Sequence, residues 1–200
     1  MSEIEIREPI QKRSIETKEK IITAGFDLIC NDGYHNTNTS KIAKKAGVST
    51  GIIYQYFKDK RDIFLAGLDR YAEDIFYPML KMPNISFDKK DLPIMMKNMI
   101  NRYISSHKLS KIAHEEITSM THSDKDVAYF FHQKEMDMTK KLSNMLMENN
   151  YNISSIEEKV HIVIGLVDNL CHEIVYHKHK ELNYDVMTDI VINEIVNILK

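Results

Sequence analysis

The chain has 200 residues, 43% hydrophobic and 28% charged, with a formal net charge of −2. That suits one ordinary domain or two small ones with a buried core, and the charge balance excludes a wholly basic nucleic-acid coat protein. The first twenty residues are charged and no stretch reaches the roughly 18 apolar residues that span a bilayer, so the sequence predicts a cytoplasmic protein with neither signal peptide nor membrane segment.

Strand signals are scarce and helical periodicity runs throughout, so the expected fold is all-α. Met1 to Glu16 read as a loose polar arm. Thr17 is placed to cap a first helix with Ile21, Ile22, Gly25, Phe26 and Ile29 on its apolar stripe, and Asp32-Gly33 ends it. Two short helices follow, and then a linking helix over about 62–78 carries Ile63, Phe64, Leu68, Tyr71, Ala72 and Ile75. Pro78 ends or bends that helix. Pro78 to Lys90 holds two of the four prolines and is the best candidate boundary. Asp91 with Pro93 opens a helix through Met95, Met96, Met99, Ile100 and Tyr103, and another spans about Lys111 to Met120. Ser123 with Asp126 offers a capping box for a long helix through Phe130, Phe131, Met138, Leu142 and Leu146, stopped by Asn149-Asn150. Ser155 with Glu158 offers a second box, before Val160, Ile164, Val167, Cys171 and Ile174. The last helix starts near Asp185 and carries Ile190, Val191, Ile195, Ile198 and Leu199. Cys30 and Cys171, the only cysteines, are far apart within apolar patterns and read as buried thiols in a reducing compartment.

Charge is segregated along the chain. Between Asn36 and Arg61, six cationic residues (Lys41, Lys44, Lys45, Lys58, Lys60 and Arg61) face Asp59 alone, so the remainder of the chain is acidic. The same stretch contains NTSKIAKKAGVSTGIIYQYFKDK, starting at Asn38. Asn38 suits the cap of a short helix whose apolar residues are Ile42, Ala43 and Ala46. Gly47 suits a tight reversal, and Ser49 the cap of a second short helix with Ile53 and Phe57 on its inner face. Two short helices joined by a glycine turn make a helix-turn-helix. Ala43 is small enough for close crossing, Ile53 fills the gap between the helices, and Val48 anchors the turn. In this reading the second helix enters the major groove by its N-terminal end. Thr50 bonds a base or phosphate, Gly51 lets the backbone approach, Ile52 packs on a thymine methyl and Gln55 reads adenine. Tyr54 and Tyr56 rest rings on the protein and extend hydroxyls to phosphates. Lys60 adds charge at a helix start, Thr39 and Ser40 act similarly on the other side, and Lys41, Lys44 and Lys45 supply diffuse attraction.

Gly33-Tyr34, Ile42-Ala43, Ala46-Gly47-Val48-Ser49 and Tyr54-Gln55-Tyr56-Phe57-Lys58-Asp59-Lys60 closely resemble the N-terminal domain of the TetR family of bacterial repressors. The resemblance covers about the first quarter of the chain. It implies an N-terminal arm and three-helix DNA-binding domain over 1–62, then a helical effector-binding and dimerisation domain over 63–200. It also implies a homodimer built on the last two helices, a palindromic double-stranded operator, and release by a small-molecule effector. DNA contacts carried over are Thr39, Ser40, Thr50, Gly51, Ile52, Tyr54, Gln55, Tyr56 and Lys60. Ile52 departs from the hydroxyl residue common in relatives.

The body is less explicit. Met99, Tyr103, His114, Met120, Phe130 and His172 are candidate effector contacts, set against ordinary core packing. The last two helices are apolar on more than one side, so Val160, Ile164, Gly165, Val167, Cys171, Ile190 and Ile195 are candidate dimer contacts. His177-Lys178-His179 beside Glu173 reads as a solvated helix end rather than a metal site. With no phosphate loop, metal triad or nucleophile–base pair, neither catalytic activity nor a cofactor is expected. The alternatives are a helical small-molecule-binding protein or enzyme, a transcriptional activator, and a nucleoid protein.

Overall fold

The computed structural model describes residues 11–76, 88, 90–106 and 111–200. Met1 to Ile10 of the expected arm, and Pro78 with most of the proposed boundary, lie outside the described residues. The described residues form nine helices and no strand: α1 (Lys12–Asp32), α2 (Thr39–Ala46), α3 (Thr50–Tyr56), α4 (Lys60–Phe76), α5 (Leu92–Ser106), α6 (Lys111–Ser123), α7 (Lys125–Glu148), α8 (Ile156–Tyr176) and α9 (Tyr184–Ile198). The all-α expectation holds.

Helix ends show where local signals compete. α1 begins five residues before Thr17, whose hydroxyl instead donates to the Arg13 carbonyl at 2.8 Å. Nothing in Lys12 to Glu16 breaks a helix, so the turn propagates into the expected arm. Asp124, not Ser123, caps α7: its Oδ1 accepts from Asp126 N–H at 2.9 Å and Val127 N–H at 3.2 Å. Ser123 is the last residue of α6 and donates to the Ser119 carbonyl. The expected Ser155–Glu158 box does not form, because Ser155 sits at φ 52° and its side chain makes no cap bond. A cap needs an extended backbone to aim its oxygen at the first turn. Asn183 does this for α9, accepting from the amides of Asp185 and Val186.

The chain divides into two compact units. The first contains the described residues of Met1–Ala72 and Leu109–Ala128, the second those of Glu73–Lys108 and Tyr129–Lys200. The compact unit holding the helix-turn-helix therefore extends past residue 62, and it takes in α6. Its core joins Ile21, Ile22 and Ala24 of α1 to Ile42, Ala43, Ile53, Phe57 and Ile63, with Val48, Ile52 and Tyr56 packed against it. Gly25 of α1 lies against Ile63 of α4: a Cβ there would stand 2.4 Å from Ile63 Cγ2. Phe26 stacks on Phe64 with centroids 6.1 Å apart, and α6 buries Ala113, Ile117 and Met120 beside α1.

In the second unit α5, α8 and α9 pack on one another. α5 contributes Leu92, Met96, Met99, Ile100 and Tyr103, and α8 contributes Val160, Ile164, Val167, Leu170 and Cys171. α9 supplies Tyr184, Ile192 and Ile195. Burial pushes the Cys30 and Cys171 thiols each up to about 12, so both stay protonated and unreactive.

Candidate nucleic-acid interface

The helix-turn-helix is assembled as its sequence predicts. Asn38 has extended backbone and its Oδ1 accepts the Lys41 N–H at 2.9 Å, which opens α2. Gly47 closes α2 at φ 69° and ψ 33°, a left-handed conformation that side chains resist. The following Val48 N–H returns to the Ala43 carbonyl at 3.0 Å, which folds the turn back on α2. Ala43 and Ile53 are both buried, and Ile53 is wholly inaccessible. Ser49 stands at the N-cap of α3 without a side-chain cap bond.

With Ile53 and Phe57 turned inward, α3 presents its other faces outward. Gly51, Tyr54 and Gln55 are exposed and Thr50 is half-buried. Ile52 and Tyr56 are half-buried and pack against the core, so both serve structure as well as any surface. Tyr54 and Thr39 are braced hydroxyl to hydroxyl at 3.1 Å, linking α3 to the first residue of α2. Ser40, Lys41, Lys44 and Lys45 are exposed on α2. Lys41 Nζ donates to the Asn36 carbonyl at 2.8 Å, and Lys45 pairs with Asp27 at 3.3 Å.

Lys60 is placed differently from the expectation. Its ammonium donates to the Tyr34 carbonyl at 2.5 Å and the Thr37 carbonyl at 2.9 Å, and lies 4.1 Å from the Tyr34 ring centroid. Burial lowers its pKa, against the pull of Asp59 and Glu116. The start of α4 is not an open anion site either: Asp59 Oδ1 already accepts from Arg61 N–H and Asp62 N–H, at 2.8 and 3.1 Å. A protein carboxylate thus stands where a phosphate was expected, and Lys60 acts as a strut under the loop before α2.

Several links that organise this surface carry no sequence signal. Arg61 forms a bidentate pair with Asp124, at 2.8 and 2.6 Å, and also reaches Asp126 at 2.6 Å. That guanidinium holds the Asp124 carboxyl down at about 2, and the carboxylates raise the Arg61 pKa in turn. Glu116 Oε1 accepts the Tyr34 N–H at 2.6 Å. These partners are more than sixty positions apart in sequence, beyond any spacing rule.

The candidate effector residues do not gather in one unit. His114 and Met120 lie on α6 in the first, whereas Met99, Tyr103, Phe130 and His172 lie in the second. Within the second unit, the Tyr103 hydroxyl donates to Asp168. His172 Nδ1 is 3.1 Å from Asp168 Oδ2, and its ring stacks on Tyr176 with centroids 5.9 Å apart. Burial pulls the imidazole pKa down, but the hydrogen bond and charge of Asp168 outweigh it and leave the value raised.

The candidate dimer residues divide too. Val160, Ile164, Val167, Cys171 and Ile195 are buried inside the second unit, packed by its own helices. Gly165 and Ile190 are exposed, and a Cβ at Gly165 would meet nothing within 4 Å. Ile162, at 54% exposure, shares Gly165's stripe of α8, and Val186, at 51%, shares Ile190's stripe of α9. The two-sided apolar periodicity thus resolves into an inner side and an outer one, with Gly165 and Ile190 on the outer side. His177, Lys178 and His179 follow the end of α8, with His179 Nε2 3.8 Å from Glu173. No described helix is long and apolar enough to cross a membrane.

Residues 21–66 match the family described as bacterial regulatory proteins, tetR family. The chain is 51% identical over 64 residues to the fatty acid metabolism regulator protein of Bacillus subtilis, covering 28% of this chain and 33% of that one. It is 32% identical over 60 residues to the HTH-type transcriptional activator FasR of Mycolicibacterium smegmatis, covering 30% and 27%. The chain thus spans about a third of the length of the curated relatives it matches. The fold is similar to that of the fatty acid degradation regulator FadR from Bacillus halodurans, with TM-score 0.59 and 24% identity, covering 90% of this chain and 94% of that one.

Proposed function

We propose that this chain, which belongs through residues 21–66 to the tetR family of bacterial regulatory proteins, is a sequence-specific transcriptional repressor released from its operator by a small-molecule effector. The observation that carries the reading is α3. Ile53 and Phe57 hold it on the core while Thr50, Gly51, Tyr54 and Gln55 stand along its free side. A short helix held this way suits the major groove, with Gln55 matched to adenine and Thr50 to a base or phosphate. Thr39, Ser40 and Lys41 flank it as backbone contacts.

The protein acts as a homodimer on a palindrome, with half-sites about one helical turn or a multiple apart. Ile162, Gly165, Val186 and Ile190 form the self-complementary patch, since outward apolar residues on α8 and α9 otherwise face water. Tyr103 and His172, joined through Asp168, are the polar effector contacts of the second unit, and Met99 and Phe130 add apolar ones. The effector releases DNA by preferring the arrangement of the two heads that does not fit the operator. An activator is the second reading, favoured by the activator among the head's relatives. The head that reads DNA is the same in either case.

The test is selection of bound duplexes from a random-sequence pool by the full chain. The expected result is a palindrome with adenine at a fixed place in each half-site. Recovery of no common sequence, with affinity governed by salt alone, overturns it in favour of nucleoid-type binding.

A further inference from the structure

We propose that Glu116 of α6 is a positioning residue for DNA binding: its carboxylate fixes the loop before α2, and through it the α2 N-terminus that meets the phosphate backbone. The inference rests on the DNA-binding reading above.

Three observations within the first unit carry it. The first is the carboxylate's place. Glu116 Oε1 takes the Tyr34 N–H at 2.6 Å, and both its oxygens stand within 3.8 Å of where a Cβ on Gly33 would lie. The carboxylate therefore sits over the Gly33–Tyr34 peptide, and α6 holds the point at which the chain leaves α1. The second is the stiffness of the loop that follows. Thr37 is 2% exposed, and its hydroxyl donates to the Gly33 carbonyl at 3.0 Å while its N–H reaches the Tyr34 carbonyl at 3.3 Å. Lys60 clamps the same Tyr34 and Thr37 carbonyls from α4. The third is what the loop delivers. The residue after Thr37 is Asn38, the cap of α2, and the next two are Thr39 and Ser40. Asn38 occupies only the Lys41 N–H, so the Thr39 and Ser40 amides have no intrahelical acceptor. Displacing the Tyr34 peptide carries Thr37, Asn38 and these amides with it.

The sign of the effect separates positioning from plain electrostatics. Deleting a carboxylate from a protein that binds a polyanion should tighten binding if charge alone mattered. Positioning predicts the reverse, because the α2 amides lose their register on the phosphates.

The experiment measures anisotropy of a labelled duplex, taken from the selection above, against the full chain at several salt concentrations. Glu116→Ala is expected to bind about tenfold more weakly, with a salt slope shallower by about one counterion. Glu116→Gln keeps an acceptor oxygen but a neutral, weaker one, and is expected to bind about two- to threefold more weakly than the parent, with faster exchange of the Tyr34 amide. Glu115→Ala removes an exposed carboxylate one residue away, 3.8 Å from Lys111, and should bind as the parent or slightly tighter. A folded Glu116→Ala that binds as tightly as the parent with the parental slope overturns the proposal. If Glu116→Ala does not fold, Glu116→Gln decides. Weaker binding with faster exchange of the Tyr34 amide supports positioning, and parental values of both overturn it. A parent that binds no duplex overturns the DNA reading, and this one with it. A parent that binds while the variants match it overturns this one alone.

Discussion

In the first unit Ala43, Ile53 and Phe57 meet within one short stretch of chain, whereas in the second Tyr103 and Asp168 meet from 65 positions apart. The helix-turn-helix itself is local: a turn geometry, the Asn38 cap and a pair of plugs fix which face of α3 is free. The body's chemistry is made by packing, where the same apolar periodicity serves an inner core and an outer face. One sequence pattern thus yields individual contacts in the head and only a list of candidates in the body.

The largest effect that would break this contrast is expected at Ile53. Replacing this wholly buried side chain by alanine leaves a cavity at the crossing of α2 and α3. Ile53→Ala should cost about 2–5 kcal/mol in chemical denaturation, with loss of operator binding. A cost near zero would mean that the helices are not held by this plug.

The body is tested next, at its outward stripes. Ile162→Lys combined with Ile190→Lys places charge on residues 54% and 55% exposed in the single chain. Helicity should survive, while sedimentation at micromolar concentration should change from dimer to monomer. A double variant that remains dimeric would move the interface elsewhere.

The smallest effect sharpens the head's non-local links. The Asp124 pKa is depressed to about 2 by Arg61. A depressed carboxylate contributes stability that is complete above its unfolded pKa, near 4, and is lost as pH falls through the folded value. Arg61→Ala should therefore lower stability at neutral pH by about 1 kcal/mol, an amount set by partial exposure and salt screening. Parent and variant should converge between about pH 4 and pH 2. Parallel curves down to pH 2 would remove the pair from the account.

Much of the fold was legible in the sequence, because helix periodicity and breakers act over a few residues. Asn38 and Gly47 were read at their true places, since their chemistry has one use there. Thr17, Ser123 and Ser155 were misread as caps, because each hydroxyl had a stronger competitor: a propagating helix, a neighbouring aspartate, or a left-handed backbone. At the candidate site, residue identity announced the outward face of α3. It did not announce that Lys60 is turned under the Tyr34–Thr37 loop, nor that Glu116 and Asp124 join from a distant helix and its end. The outward stripes of α8 and α9 are only partly legible, at Gly165 and Ile190, for a related reason: Val160 and Ile162 are both apolar, and only the position of α5 and α9 decides which faces inward.

The most direct test of the central claim is the ratio of affinities for the selected palindrome and a scrambled duplex, measured for the parent and for Gln55→Ala at one salt concentration. The account predicts that Gln55→Ala loses about 1–3 kcal/mol on the palindrome and nothing on the scrambled duplex, with adenine preference relaxed at a single half-site position. Equal losses on both duplexes, or none on either, would contradict the placement of α3 in the major groove.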